Sequence, residues 1–187
     1  SFPRLEHFDH VEPVGRAHLY AVHDREYVDG VLDLKGQNGF GGYDPEIAAS
    51  LPYTSGSMVA AALCAYREGG ITCSPTSGFH HARFGSGGGY CTFNGLMVAA
   101  MALFRAGATR VGIVDLDMHY GDGTQDIIET LDIGDRVDHY TLGGVRRRRG
   151  GGENALLRDL SEQLERMLPS TDIVLYQAGA DSHIDDP

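Results

Sequence analysis

Cysteine is scarce in this chain: Cys64, Cys73 and Cys91 are the three present, and no two of them form a C-x-x-C pair. An odd number without paired spacing argues against a thiolate metal cluster and favours a reducing compartment, so a cytoplasmic location is expected. Positive charge is scarce as well. Fifteen Lys and Arg stand against 26 Asp and Glu, a net charge of −11. Such a balance argues against general binding to nucleic acid phosphates or to an anionic membrane, and suits a cationic substrate. Neither a secretory signal nor an apolar run of bilayer-crossing length is read from the chain, and no internal repeat is found.

What is present is one domain's worth of sequence, 187 residues, long enough for a real core. The 26 glycines gather in short runs, at 39–42, 85–89 and 150–152, which places loops around a site rather than low complexity. One or two short helices are expected before residue 34, and 36–43 reads as a glycine-rich loop. Asp44-Pro45 opens a turn or a helix. Apolar periodicity predicts helices over about Ser55–Glu68, Phe93–Arg105 and Glu153–Leu168. A short strand is expected over Asp138–Leu142 and a buried one over Asp172–Gln177. Helices alternating with apolar strands argue for a parallel α/β sheet. The run Arg146 to Arg149 reads as solvated surface.

The most informative stretch runs from Val111 to Thr124. A β-branched apolar segment turns abruptly into Asp115, Asp117 and His119. Side chains alternate along a strand with period two, so these three are expected on one face where the strand runs out. Gly121 and Gly123 then let the backbone turn, and Thr124 is expected to cap a helix. Open α/β sheets bind ligands beyond the carboxyl ends of their strands. A carboxylate and an imidazole there suit Zn²⁺ or a similar first-row divalent ion. A calcium loop is excluded, because Tyr120 stands where the required glycine would be. The Asp172–Gln177 strand also ends in an acid, Asp181, after small residues. If the two strands are parallel neighbours, Asp181 joins Asp117 and His119, and three protein ligands leave a coordination position open.

Adjacent His80-His81, in a glycine-flanked loop, are the next candidates. General base catalysis wants an imidazole near neutral pKa, oriented by a carboxylate on its far nitrogen. Asp115 and Asp122 remain once the candidate metal ligands are assigned, matching the histidines in number.

Four segments together carry a resemblance: Ser77-Gly78-Phe79-His80-His81-Ala82; Gly89-Tyr90-Cys91-Thr92-Phe93-Asn94; Asp115-Leu116-Asp117-Met118-His119-Tyr120-Gly121-Asp122-Gly123-Thr124; and Gly179-Ala180-Asp181-Ser182-His183-Ile184-Asp185-Asp186-Pro187. In this order, spanning about 44–187, they resemble the histone deacetylase superfamily, which includes bacterial acetylpolyamine amidohydrolases and shares the arginase-like fold. The resemblance implies a three-layer α/β/α domain over 1–187 with a central, mostly parallel sheet. It implies zinc held by Asp117, His119 and Asp181, with Fe²⁺ or Co²⁺ also compatible with the donors. His80 and His81 would be the tandem general acid/base, with Asp115 behind His80 and Asp122 behind His81. Asp44 resembles a rim aspartate that grips substrate amides, and Phe79, Gly89 and Tyr90 would line a narrow channel. A structural K⁺ near Asp115, with backbone oxygens of Asp117 and His119 and with Thr141 and Leu142, is implied too. The implied reaction is hydrolysis of an N-acetyl amide of a lysine, a polyamine or a similar small acetyl-amine, by a metal-activated water.

The chain departs from the family pattern in two ways. Relatives carry a glycine-flanked tyrosine beyond the Asp-Pro motif, which hydrogen-bonds the oxyanion, and Pro187 comes first; the chain is therefore expected to be part of a longer domain. The segment between Asp122 and Asp181 is shorter than in eukaryotic members and contains the arginine run. Two other readings stay open: a metal-binding but inactive interaction module, and an arginase-type binuclear hydrolase. The oligomeric state is not legible.

Overall fold

A computed structural model of the chain describes residues 10–76, 78–144, 153–183 and 185. The run Arg146 to Arg149 lies outside the described residues. Helices α1 (Arg16–Leu19), α2 (Arg25–Leu32), α3 (Pro45–Glu68) and α4 (Gly95–Arg105) precede strand β1 (Val111–Asp115). Helix α5 (Asp122–Thr130), strand β2 (Val137–Thr141), helix α6 (Glu153–Met167), a 3-10 turn (Leu168–Ser170) and strand β3 (Ile173–Gln177) follow.

The three strands form a parallel sheet in the order β2-β1-β3. β1 is central and every residue of it is buried, as a β-branched strand covered on both faces should be. Val111 and Ile113 share one face with Val137 and Leu175, in a core that also takes Leu96, Leu103 and Ile127 from α4 and α5. Val114 and Tyr140 face the other way, onto Met167 with Leu156, Leu160 and Leu164 of α6. Helices thus cover both faces, giving the expected three-layer α/β/α arrangement. The register aligns Asp115 with Thr141 on one side and Gln177 on the other. All three strands therefore stop at one level, and the polar segments after them share one edge.

Several expectations are corrected. Helix α3 begins ten residues before the predicted start, because Asp44 caps it: its Oδ1 accepts from the amides of Glu46 at 2.8 Å and Ile47 at 3.2 Å. Pro52 and Gly56 look like helix breakers, yet both serve packing. The Pro52 carbonyl accepts from the Val14 amide at 3.0 Å, and a side chain at Gly56 would run into the Glu12 carbonyl. At 24 residues, α3 is also apolar enough, by length and composition, to cross a bilayer, against the expectation of no such run. Its alanine-rich stretch packs on α4, and a core helix passes the same test. The strand around 172–177 was expected to be buried; in β3 only Leu175 is, and Tyr176 is 58% exposed, because β3 lies at the edge of the described sheet. Thr124 does not cap α5. The N-cap position is Gly121, and Thr124 is buried inside the helix, its Oγ1 accepting from Asn94 Nδ2 at 3.0 Å.

Candidate metal and catalytic site

β1 ends at Asp115, so period-two alternation does not extend to residues 117 and 119. Asp115 points into the protein with no exposed surface, and the chain then turns. Each turn is held by an aspartate accepting from an amide two residues on: Asp117 N to Asp115 Oδ1 at 3.1 Å, and His119 N to Asp117 Oδ1 at 2.8 Å. The second turn brings His119 Nδ1 to 3.1 Å from Asp117 Oδ1. After β3 the chain passes so close that a β-carbon on Gly179 would lie 2.5 Å from Asp117 Cα. Glycine at 179 is what lets Asp181 arrive. Its Oδ1 accepts from the Met118 amide at 2.8 Å, and its Oδ2 is 2.9 Å from His119 Nδ1.

One donor atom each from Asp117, His119 and Asp181 lies within 4.8 Å of the others. Tetrahedral ligands at about 2.0–2.2 Å from one ion stand roughly 3.3–3.6 Å apart, so small side-chain shifts would let the three close on one first-row divalent metal. Two carboxylates would neutralise such an ion, and the imidazole gives the borderline-soft donor that suits it. Asp117 is ready for that role: burial opposes its ionisation, but the amide and ring of His119 and the nearby His80 hold its carboxyl below the usual range.

The tandem histidines reach the same edge from the loop before α4. His80, buried, donates from Nδ1 to Asp115 Oδ2 at 2.7 Å. His81 donates from Nδ1 to Asp122 Oδ1 at 2.6 Å. The two rings lie against each other at a tilt of 51° with centroids 4.1 Å apart, and His81 stands 5.9 Å from the His119 ring. His80 Nε2 is 3.8 Å from Asp117 Oδ2, so its free nitrogen faces the cluster. Burial works against the His80 cation, yet the hydrogen bond and charge of Asp115, with Asp117 and Asp122, outweigh it and raise the pKa above the ordinary histidine value. For Asp122 burial is likewise overcome, by His81 and by the Arg83 guanidinium, and its carboxyl is held low.

Residues outside the predicted set hold this loop in place. Asn94 caps α4 through Oδ1 to the Met97 amide at 3.2 Å, while Nδ2 donates to the Ala82 carbonyl at 3.3 Å and to Thr124. His23 donates from Nδ1 to the Arg83 carbonyl at 2.8 Å and accepts at Nε2 from the Asn94 amide at 2.9 Å, which fixes a neutral tautomer. The Thr124 amide donates to the His80 carbonyl at 3.0 Å, seating the loop on the first turn of α5. Of these, only Asn94 carries a sequence signal, an N-cap residue before an apolar helix. A buried histidine 57 residues upstream of the pair carries none.

Beside His81, a β-carbon on Gly89 would lie 2.6 Å from Cδ2, so the loop backbone rests against the ring. Tyr90 follows, 73% exposed and in the left-handed region at φ 62°, edge-on to Phe40 with centroids 5.6 Å apart. Asp44 is exposed at the start of α3. Phe79, expected along the channel, is 2% exposed, and its ring packs on Gly95, where any side chain would displace it. Of the implied potassium ligands, Asp115 has both carboxylate oxygens engaged, and Thr141 Oγ1 accepts from the Gly121 amide at 3.1 Å.

Comparison with known proteins bears on the fold and on the family. Residues 2–137 match the histone deacetylase domain. The chain is 31% identical over 191 residues to an uncharacterized protein of Picosynechococcus sp., covering 91% of this chain and 63% of that protein. It is 31% identical over 166 residues to the acetylpolyamine amidohydrolase of Burkholderia pseudomallei, covering 72% and 47% respectively. The chain thus spans from about half to just under two thirds of these relatives' length. Among solved structures, the HDA15 HD domain superposes with a TM-score of 0.71 at 23% identity, over 95% of this chain and 60% of that one.

Proposed function

This chain belongs to the histone deacetylase family, and on that premise we propose that it carries the chemistry of a deacetylase, hydrolysing the N-acetyl amide of a lysine or polyamine-like side chain. The observation that carries the reading is the convergence of two His–Asp pairs, at 2.7 and 2.6 Å, on one Asp–His–Asp donor cluster. Metal binding falls to Asp117, His119 and Asp181, with zinc the ion proposed and Fe²⁺ or Co²⁺ compatible with the same donors. A divalent ion held there supplies Lewis acidity, polarising the acetyl carbonyl and acidifying a bound water. A structural potassium is proposed at Asp115, with backbone oxygens of Asp117 and His119 and with Thr141 and Leu142.

His81 is the proposed general base. It is the more exposed of the pair, and Asp122 on Nδ1 leaves Nε2 as the acceptor. As water adds to the acetyl carbon, its proton passes to His81 Nε2. The C–N bond then breaks, the departing amine takes that proton from the histidine pair, and the carboxyl proton passes to the free amine, leaving acetate and an alkylammonium ion. His80, whose pKa Asp115 raises, supplies positive charge beside the developing oxyanion. Gly89 and Tyr90 are proposed to flank the alkyl chain, and Asp44, whose cap uses Oδ1, to take a substrate amide.

The test is a release assay for acetate on acetyl-lysine peptides and acetylated diamines, run beside metal analysis. His81→Ala is expected to lose turnover by about 10²–10⁴-fold with metal content unchanged. Full turnover in that variant would refute the general-base assignment, and a protein that takes up no divalent metal would refute the whole reading.

A further inference from the structure

Both proposed His–Asp pairs share a requirement: the carboxylate must keep one oxygen aimed at Nδ1 of its histidine. A carboxylate turns easily about its terminal torsion, which is broad and two-fold. Asp115 is fixed because it is fully buried and its second oxygen accepts from the Asp117 amide at 3.1 Å. Asp122 has no such shelter. Its side chain is 32% exposed, that of His81 24%, and it stands in the first turn of α5. Its second oxygen, Oδ2, accepts instead from the guanidinium of Arg83. The same guanidinium reaches Asp126, one turn further along α5, with Nη1 at 3.6 Å from Oδ1, and Asp126 Oδ2 accepts from the Phe84 amide at 2.9 Å.

We infer that Arg83 is a positioning residue: it clamps the Asp122 carboxylate so that Oδ1 faces His81, and it ties the tandem-histidine loop to the exposed side of α5. Its place in catalysis rests on the function proposed above, but the clamp itself is a matter of geometry. An arginine suits the task because its fork spans two carboxylates a helical turn apart, whereas a lysine is a single point of charge. The Arg83 side chain is 47% exposed. An ion pair so exposed adds little to folding stability, so a purely structural role predicts that its loss changes almost nothing.

The test uses the metal-loaded protein with Arg83→Met and Arg83→Lys. Three quantities are read: steady-state kinetics on an acetylated amine, thermal unfolding, and the low-field proton resonance of His81 Nδ1–H, assigned by its disappearance in His81→Ala. Arg83→Met is expected to lower kcat about tenfold with KM unchanged, in line with the usual effect of removing a group that orients a site residue. It should broaden or shift the His81 resonance and leave the unfolding midpoint nearly unmoved. Arg83→Lys should recover part of kcat and of the resonance. An unaltered resonance in Arg83→Met overturns the clamp, as does a rise in KM at constant kcat, which would make Arg83 a substrate contact. If the wild-type protein hydrolyses no acetylated amine, the proposed function fails while the resonance still decides the clamp. Should Arg83→Met not fold, Arg83→Lys answers alone: a wild-type resonance with wild-type kcat refutes the need for the fork.

Discussion

Replacing Gly123 with alanine tests how the proposed active-site loop is held. Gly123 sits in the first turn of α5 with its α-carbon directly against the backbone that follows His81. A β-carbon there would lie 2.5 Å from the Ala82 carbonyl oxygen and 2.6 Å from its carbon. Carbon atoms rest at about 3.5–4.0 Å, so roughly 1 Å must open between helix and loop. The obstruction is backbone, which cannot rotate aside as a side-chain tip can. Overpacking of this kind costs about 1–3 kcal/mol, offset by up to about 1 kcal/mol because alanine favours a helix over glycine. The net loss of folding stability is therefore about 0–3 kcal/mol. Activity should suffer more, since a displacement of about 1 Å at reacting groups can cost on the order of 10²-fold. Urea unfolding and turnover of an acetylated amine, measured on the same preparation, give both quantities. Wild-type turnover in Gly123→Ala would refute the idea that direct contact with α5 sets the position of His81.

Two further predictions concern groups beneath the site. Burial pushes the pKa of His23 and of His139 down to about 4, against the ordinary value of 6.5. A depressed folded pKa means that the unfolded chain binds the proton more readily. Stability is thus fully present above pH ~6.5 and is lost as the pH falls towards ~4, by up to about 3 kcal/mol for each group. In His23→Asn the slope of unfolding free energy against pH across that window should flatten, and an unchanged slope would show that His23 does not titrate there. Asn94→Ala removes the cap of α4 and leaves the Ala82 carbonyl and Thr124 Oγ1 without a buried donor. The expected cost is about 2–4 kcal/mol, seen as a lower urea midpoint at constant m. A cost under about 1 kcal/mol would mean that water replaces the amide.

Much of the fold was legible in local pattern. The apolar run into Asp115, the stripe of leucines in α6 and the apolar periodicity of α4 depend on neighbours in sequence, and each produced its element within a few residues of the predicted bounds. Where long-range contact overrode local signals, the reading failed. Pro52 and Gly56 sit inside α3 because the segment at Glu12–Val14 packs on them, and Thr124 turned inward to Asn94 instead of capping its own helix.

By itself the sequence determined which chemistry was available: carboxylates and imidazoles at strand ends, two adjacent histidines, and glycines that allow close approach. It also determined the family, because four motifs recur in order. Tertiary structure alone decided which groups meet. Parallel register set β1 and β3 to end at one level, so that Asp181 meets Asp117 across a gap that only Gly179 permits. Burial sent Phe79 into the core while leaving Tyr90 in the open, and the packing of α5 gave Asp122 an arginine where Asp115 had a backbone amide. The physical reason is one of range. Alternation and capping act over a few residues, whereas the orientation of a carboxylate or a ring is set by whatever the folded chain brings against it.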